Sequence, residues 1–216
     1  YAIYMNKDYG NVKGYTFSFT KRYDPISRTS AFVDYTYQVT EGNSVNSGSF
    51  YYNALSGEQE EKRIVPLAWD QRHILNTNLS IGDPRNWNMG IISKLSSGWP
   101  YTPNIPNANY VPQPNSGRKP WQWRIDMRVH KNFKIRSFNY LFFMKIYNLL
   151  DRRNERYVFN DTGRAGYTYV YQSTQETQGF KNHYGETGVH EWSEYQIRPQ
   201  YYTSPRSINI GFSLDF

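Results

Sequence analysis

Apolar and polar side chains alternate one for one along seven stretches of the chain. Between Val12 and Tyr23, the residues Tyr15, Phe17 and Phe19 alternate with Thr16, Ser18 and Thr20. Between Arg28 and Val39, Ala31, Val33, Tyr35, Tyr37 and Val39 alternate with Ser30, Asp34, Thr36 and Gln38. Near Arg72 to Gly82, Leu75, Leu79 and Ile81 stand against Asn76, Asn78 and Ser80. From Trp87 to Ser96, Trp87, Met89, Ile91 and Leu95 stand against Asn88, Gly90 and Lys94. The cleanest run sets Trp123, Ile125, Met127, Val129 and Phe133 against Arg124, Asp126, Arg128, His130 and Asn132. Phe138 to Asn148 is apolar on both sides for part of its length, and Tyr140, Phe142, Met144 and Ile146 are assigned to the apolar face. The last run, Arg206 to Phe216, interleaves Ile208, Ile210, Phe212, Leu214 and Phe216 with Asn209, Gly211, Ser213 and Asp215. A period of two puts successive side chains on opposite faces of an extended strand, so seven strands are predicted.

These strands are about 10 to 12 residues long, whereas ordinary globular strands run about 5 to 6. A tilted strand needs about 9 to 11 residues to cross a bilayer. Short turns are predicted at Asp24-Pro25-Ile26-Ser27, Asp83-Pro84-Arg85-Asn86 and Lys134-Ile135-Arg136-Ser137, and long polar connections near residues 40–69, 97–120 and 152–202. Strand parity puts every short turn at one end and every long loop at the other, as in outer-membrane barrels with periplasmic turns and extracellular loops. Soluble sandwiches seldom carry three structureless loops of such length. The expectation is an all-β, antiparallel transmembrane β-barrel segment of seven strands, or eight if Tyr1 to Tyr9 contributes. With seven, the first and last strands run the same way and cannot pair antiparallel. Residues 1–216 are therefore expected to be the C-terminal part of a larger barrel whose other strands come from elsewhere. A strand ending on Phe216 would be a bare aromatic edge in water; in a barrel, lipid and a closing neighbour cover it.

Composition narrows this picture only in places. Mean hydropathy is −0.81, and no run of about 18 apolar residues exists, which excludes a transmembrane helix but not a barrel. Aromatic residues make up 18% of the 216, with 21 Tyr; such side chains suit a membrane interface, where ring and polar tip are both satisfied. The same composition suits an aromatic-rich soluble β-domain that binds carbohydrate. The net charge of +7 favours an anionic neighbour, nucleic acid or lipid-A phosphate. The basic residues are scattered, with short clusters such as Arg152-Arg153, so no nucleic-acid partner is expected. Cysteine is absent, which removes disulfides and thiolate metal sites. No secretory leader is visible, so the expectation is a mature chain or a fragment.

Several segments carry a resemblance. Asn148-Leu149-Leu150-Asp151 is similar to the Asn-Leu-Phe-Asp signature at the outer end of the penultimate strand of TonB-dependent outer-membrane receptors, with Leu150 in place of Phe. Gly163-Arg164 falls earlier than that family's Gly-Arg before its last strand, a place held by Pro205-Arg206. Trp69-Asp70-Gln71-Arg72-His73, Ser97-Gly98-Trp99-Pro100-Tyr101-Thr102-Pro103 and Asn11-Val12-Lys13-Gly14-Tyr15 resemble segments of the large-loop receptors of Bacteroidetes-type bacteria. Asn209, Gly211, Leu214 and Phe216 resemble the signal read by the barrel assembly machinery, which many barrel families share. The resemblance implies a barrel of about 22 strands around an N-terminal plug, in the outer membrane of a Gram-negative bacterium. It implies nutrient import (iron chelates, cobalamin, glycans or peptides) driven through TonB. Plug and TonB-contacting segment are not among these residues, so the implied partners are the remaining N-terminal strands and plug, TonB through that plug, the bilayer and its lipopolysaccharide, the assembly machinery, and a surface lipoprotein.

The candidate chemistry is recognition rather than catalysis. Trp99, Tyr101, Tyr110, Tyr167, Tyr169, Tyr171 and Trp192 fall in the long loops, where rings can stack on sugars or chelates; loop packing would need the same residues. Trp99, Tyr101, Tyr110, Tyr169 and Trp192 are taken as the candidate substrate-binding set. Pro100, Pro103, Pro106, Pro112 and Pro114 stiffen one of these loops. The row Arg124, Asp126, Arg128 and His130 is assigned to the lumen, either against the plug or as a wall of salt bridges. His73, His130, His183 and His190 lack zinc-site spacing; His190-Glu191 could touch a chelate or simply be solvated. Asp70 with His73 could act as an acid–base pair only within hydrogen-bond reach, and Glu58-Gln59-Glu60-Glu61-Lys62 is a solvated loop. No catalytic residue, metal or cofactor is assigned and no enzyme is expected. The functional expectation is a receptor segment forming barrel wall and outer ligand surface. The alternatives are a non-transporting structural or adhesive barrel and a soluble carbohydrate-binding β-domain.

Overall fold

The computed structural model describes residues 8–43, 63–106, 109, 112–136, 138–170 and 197–215. Seven long strands form one antiparallel meander: β1 (Gly10–Asp24), β2 (Thr29–Gly42), β4 (His73–Asp83), β5 (Trp87–Ser96), β8 (Gln122–Ile135), β9 (Phe138–Tyr147) and β10 (Ser207–Asp215). Short β3 (Val65–Pro66) adds to β2 and makes the sheet eight-stranded. Outside it, β6 (Pro100–Tyr101) pairs with β7 (Gly117–Arg118), and one 3-10 turn spans Pro199–Tyr201. No α-helix occurs among the described residues. The seven long strands fall within three residues of the predicted boundaries. Tyr1 to Tyr9 adds no strand among the described residues, of which only 8 and 9 belong to it.

The register turns the period of two into two continuous faces. Phe17, Tyr35, Leu75, Leu95 and Trp123 lie in one cross-strand row. Ala31, Leu79, Ile91, Met127, Ile146 and Ile208 form another, and Ile81, Met89, Val129, Met144 and Ile210 a third. Tyr140, Phe142, Met144 and Ile146 pair with Leu214, Phe212, Ile210 and Ile208, which puts them on one face with the apolar set of β10. The opposite face carries rows such as Ser18–Asp34–Asn76–Lys94–Arg124. A one-residue slip in any strand would move its whole apolar set to the polar face, which fixes the register.

Rings gather at both ends of the apolar face. At the end bearing the long connections, Tyr15 packs 5.4 Å from Tyr37, Tyr37 5.2 Å from His73, and His73 stacks at 5.6 Å on Trp121. At the turn end, Phe133 stacks on Tyr140 at 5.3 Å and Tyr140 meets Phe212 at 5.7 Å. Gly211 lies under Phe143 in the polar-face row, and a Cβ there would collide with the ring; an aromatic ring over a strand glycine replaces the packing that glycine lacks.

The tight connections that follow Asp24, Asp83 and Ile135 all lie at one end of the sheet. Asp24 caps the first by accepting from the Ile26 and Ser27 N–H groups at 3.1 and 3.0 Å, and Asp83 accepts from Arg85 N–H at 2.9 Å. Such Asx turns are the physical reason for Asp at those positions.

The strong contacts between long strands run between sheet neighbours, and no strand packs as a second layer on either face among the described residues. Among those residues only Val65, Ile146, Val158 and Ala165 are buried and apolar, and just one of them, Ile146, belongs to a long strand. Tyr15, Phe17, Ile210 and Phe212 are each at least 60% exposed. β1 and β10 have no outer neighbour among the described residues, and the sheet is open.

Candidate functional site

At the end opposite the turns, residues 63–72, 97–106, 112–120, 148–170 and 197–206 fold into a collar. Asp70 is its anchor. The side chain is fully buried, and Oδ1 accepts the Thr40 N–H at 2.9 Å. Oδ2 takes Arg72 Nε at 3.3 Å and Arg118 Nη2, while Arg118 Nη1 donates to the Asp70 carbonyl. Burial works against the charge, but the Arg118 hydrogen bond, the Thr40 N–H and Arg72 outweigh it and hold the carboxyl below the usual carboxylate range. One carboxylate thus ties β2 to the β6–β7 hairpin. The rest of that motif is equally occupied: Gln71 Nε2 donates to Ser97 O at 2.9 Å, and His73 N–H to Ser97 Oγ at 3.0 Å. His73 Nδ1 is bonded to Tyr35 Oη at 2.9 Å. Asp70 and His73 therefore serve separate networks, and no hydrogen bond among the described residues joins them as an acid–base pair.

The Ser97–Pro103 segment is shaped by close approach. Lys119 N–H donates to Trp99 O at 3.0 Å, and a Cβ on Gly98 would run into the Lys119 carbonyl. Tyr101 lies between two glycines: a Cβ on Gly117 would be 2.5 Å from its ring, and one on Gly163 would strike its hydroxyl. Burial, with the charge of Asp161, pushes the Tyr101 phenol up.

Asn148 and Asn154 extend the pairing along β8 past the end of β9. Asn148 holds a left-handed backbone (φ 54°), tolerable for Asn, and its amide donates to Arg152 O at 3.1 Å and Ser204 O at 3.0 Å. Its N–H donates to Asp126 Oδ1 at 2.8 Å. Asn154 does with its side chain what a strand residue does with its backbone: Oδ1 accepts Trp123 N–H and Nδ2 donates to Trp123 O, each at 2.9 Å. Asp151 Oδ1 accepts Arg206 N–H at 2.8 Å, fastening the start of β10. The Asn-Leu-Leu-Asp segment is thus a hydrogen-bonded splice between strands. Nearby, Glu155 pairs with Arg164 at 2.8 Å and accepts Ala165 N–H at 2.6 Å.

The candidate residues separate on this frame. Trp99 is 52% and Tyr169 64% exposed on the collar, while Tyr101 is wedged within it. Tyr167 meets Tyr169 edge-on at 5.6 Å. Tyr110, Tyr171, Trp192, His183, His190 and Glu191, the 58–62 run and Phe216 lie outside the described residues. No ring contact joins Trp99 to Tyr169 among the described residues. Trp69, Trp121 and Tyr157 are exposed as well but were not among the candidate rings: Trp69 stood out only within its resemblance segment, and Trp121 and Tyr157 sit outside any periodic stretch. Tyr157 is approached by Lys119 Nζ at 5.8 Å and the Arg156 guanidinium at 5.5 Å.

Arg124, Asp126, Arg128 and His130 share the polar face of β8. Arg124 Nε meets Asp126 Oδ1 at 2.8 Å, so part of the row is an internal salt bridge. The register also opposes Lys94 to Arg124 and Lys145 to Arg128. Lys145 was hidden in the sequence because Leu141 and Phe143 make its strand apolar on both faces. Asn209, Gly211 and Leu214 lie on β10, with Leu214 on the apolar face and the other two on the polar one.

Comparison of the chain with family models, curated proteins and solved structures finds no match.

Proposed function

We propose that this chain is the C-terminal wall segment of a TonB-dependent receptor in the outer membrane of a Gram-negative bacterium. Its apolar face meets lipid, its polar face lines the lumen, and its collar forms part of the extracellular surface that takes up a nutrient. One observation carries the reading: an apolar face continuous across seven strands, with no covering layer and almost no buried core among the described residues. A water-soluble domain buries such a face, whereas lipid solvates it.

Dimensions and topology support the same reading. Trp123 to Phe133 is ten residue steps on β8, or about 33 Å along the strand and roughly 25 Å across at a tilt near 40°. Aromatic clusters bound this band at both ends, as interfacial girdles do. An odd number of long strands with both edges open calls for further strands before an antiparallel barrel can close. The narrower reading, a receptor rather than another barrel, rests on the resemblance of the Asn148–Asp151 and Trp69–His73 segments.

Cell fractionation of the full-length protein is the test. It will sediment with the outer membrane, resist alkaline extraction and co-purify with the periplasmic domain of TonB. Recovery in the soluble fraction would refute the barrel; outer-membrane residence without TonB association would leave a non-transporting barrel.

A further inference from the structure

Cations gather where the apolar face meets the tight turns. Lys21 on β1 and Lys131 on β8 lie on the apolar face itself. Lys21 pairs with Ala31 in the row that continues to Leu79, Ile91 and Met127, and Lys131 sits between Trp87 and Phe142. Each of the three turns adds one exposed arginine, Arg28, Arg85 and Arg136. Arg28 and Arg136 hold left-handed backbones (φ 50° and 55°), which glycine or asparagine adopts at less cost. None of these five cations has a carboxylate within ion-pair distance among the described residues. Asp24 is near enough to feel the Lys21 charge, yet its carboxylate oxygens accept the Ile26 and Ser27 N–H groups, and Asp83 accepts the Arg85 N–H. The two ammonium groups find only neutral oxygens. Lys131 Nζ donates to Asn86 Oδ1 at 2.5 Å, and Lys21 Nζ donates to Ser27 Oγ at 3.0 Å and to Thr29 Oγ1. These partners lie in or beside the turns, so each charge is drawn to the boundary of the apolar band. An ammonium has three donors, so each keeps at least one to spare.

Whatever covers this region must bring hydrocarbon and negative charge together. A soluble polyanion matches the cations but leaves Phe142 (40% exposed), Ile26 in the first turn (94%) and Ile135 before the third (53%) in water. Neutral hydrocarbon matches the apolar groups but not the charges. A lipid with its phosphate at the rim and its chains along the face satisfies both. We propose that the turn end of the apolar face binds anionic phospholipid, with one headgroup at Lys131, another at Lys21, and the turn arginines as donors to the same layer of phosphates. β1 and β8 are four strand spacings apart in the sheet, about 19 Å, so the two lysines serve separate lipids. A zwitterionic headgroup carries its own ammonium beside the phosphate and gains less from an uncompensated lysine, so the preference is for a headgroup of the phosphatidylglycerol type. This rests on the barrel reading, in which the apolar face meets lipid, and it specifies which lipid lies at one end of that face.

Local quenching separates such sites from a general attraction of a basic chain to an anionic membrane. The full-length protein carries a single cysteine-linked fluorophore at residue 89, 31 or 95. It is reconstituted in phosphatidylcholine vesicles with a minor fraction of brominated phosphatidylglycerol or of brominated phosphatidylcholine. Met89 lies beside the Trp87–Lys131 pair, Ala31 opposite Lys21, and Leu95 opposite Trp123 at the far end of the face. Brominated phosphatidylglycerol will quench in excess at 89 and 31, reflecting about fivefold local enrichment, and not at 95. Lys131→Gln will abolish the excess at 89 alone and Lys21→Gln the excess at 31 alone, while Lys131→Arg and Lys21→Arg will retain it. Equal quenching by the two lipids, the same excess at all three positions, or an excess that survives both Gln variants would overturn the proposal. So would capture of the protein on isolated cell-wall polymer without any lipid preference, the result for a periplasmic polyanion. If neither lipid quenches at any position, the face is covered by protein and the barrel reading has failed first.

Discussion

Substituting Met127 by Arg tests the facing of the sheet at its most sensitive point. Met127 lies in the row Leu79–Ile91–Met127–Ile146–Ile208. It is four steps along β8 from Trp123 and six from Phe133, which puts it about 10 Å below one girdle of a band roughly 25 Å tall. An Arg on the lipid side at that depth costs about 2 to 4 kcal/mol, a loss of about 30- to 900-fold in the folding equilibrium. Its neighbour Arg128 points to the polar face, so Arg128→Met costs less than about 1 kcal/mol. The assay is reversible urea unfolding of the whole barrel in lipid vesicles, followed by tryptophan fluorescence. Equal losses for both variants, or a loss under about 0.5 kcal/mol for Met127→Arg, would refute the assigned facing.

Three further outcomes follow from the collar. Asp70→Asn removes the charge that holds Arg118 and Arg72, and will loosen residues 63–72 and 117–118 by on the order of 2 kcal/mol, read by amide exchange. Because the folded Asp70 carboxyl lies below its ordinary 3.8, its contribution is complete above that value and disappears as pH falls through the lower folded one; wild-type protection of these amides should therefore drop only in that acid range, and the Asn variant should show no such step. Asn154→Ala leaves the Trp123 N–H and C=O without their side-chain partner, so the Trp123 amide will exchange faster by an amount matching about 1 to 3 kcal/mol; an unchanged rate would refute the splice. Gly98→Ala forces a methyl against the Lys119 carbonyl and will open the pairing of Trp99 with Lys119 at a cost near the upper end of about 1 to 3 kcal/mol, visible as protease cleavage between residues 97 and 120.

The strands were legible because one physical constraint repeats along each of them. Where a side chain must face one of two environments, every second residue reports the choice, and Trp123 to Phe133 does so almost without exception. Phe138 to Asn148 was harder, since Leu141 and Phe143 break the alternation, and pairing with Ile208 to Leu214 decides it. The collar obeys no period. The partner of Asp70 is Arg118, 48 residues away, and that of Trp123 is the Asn154 side chain, 31 residues away. Each depends on chain geometry that no local pattern encodes. The Trp69–His73 and Asn148–Asp151 segments stood out by resemblance, yet their work as an ion-pair anchor and a strand splice emerged only from the hydrogen bonds. Among the candidate aromatics, Tyr101 shows why loop residues resist assignment: a ring wedged against Gly117 and Gly163 and an exposed ring such as Tyr169 look alike in sequence.

Whether the apolar face touches hydrocarbon is best measured by single-cysteine scanning along β8, since these 216 residues contain no cysteine of their own. Each position from 123 to 133 would carry an environment-sensitive fluorophore in the full-length protein, reconstituted in vesicles of brominated lipid. The account predicts strong quenching at Ile125, Met127 and Val129 and little at Arg124, Asp126 and Arg128, a period of two with its maximum near Met127. Uniform quenching, or odd positions shielded from both lipid and water, would contradict it.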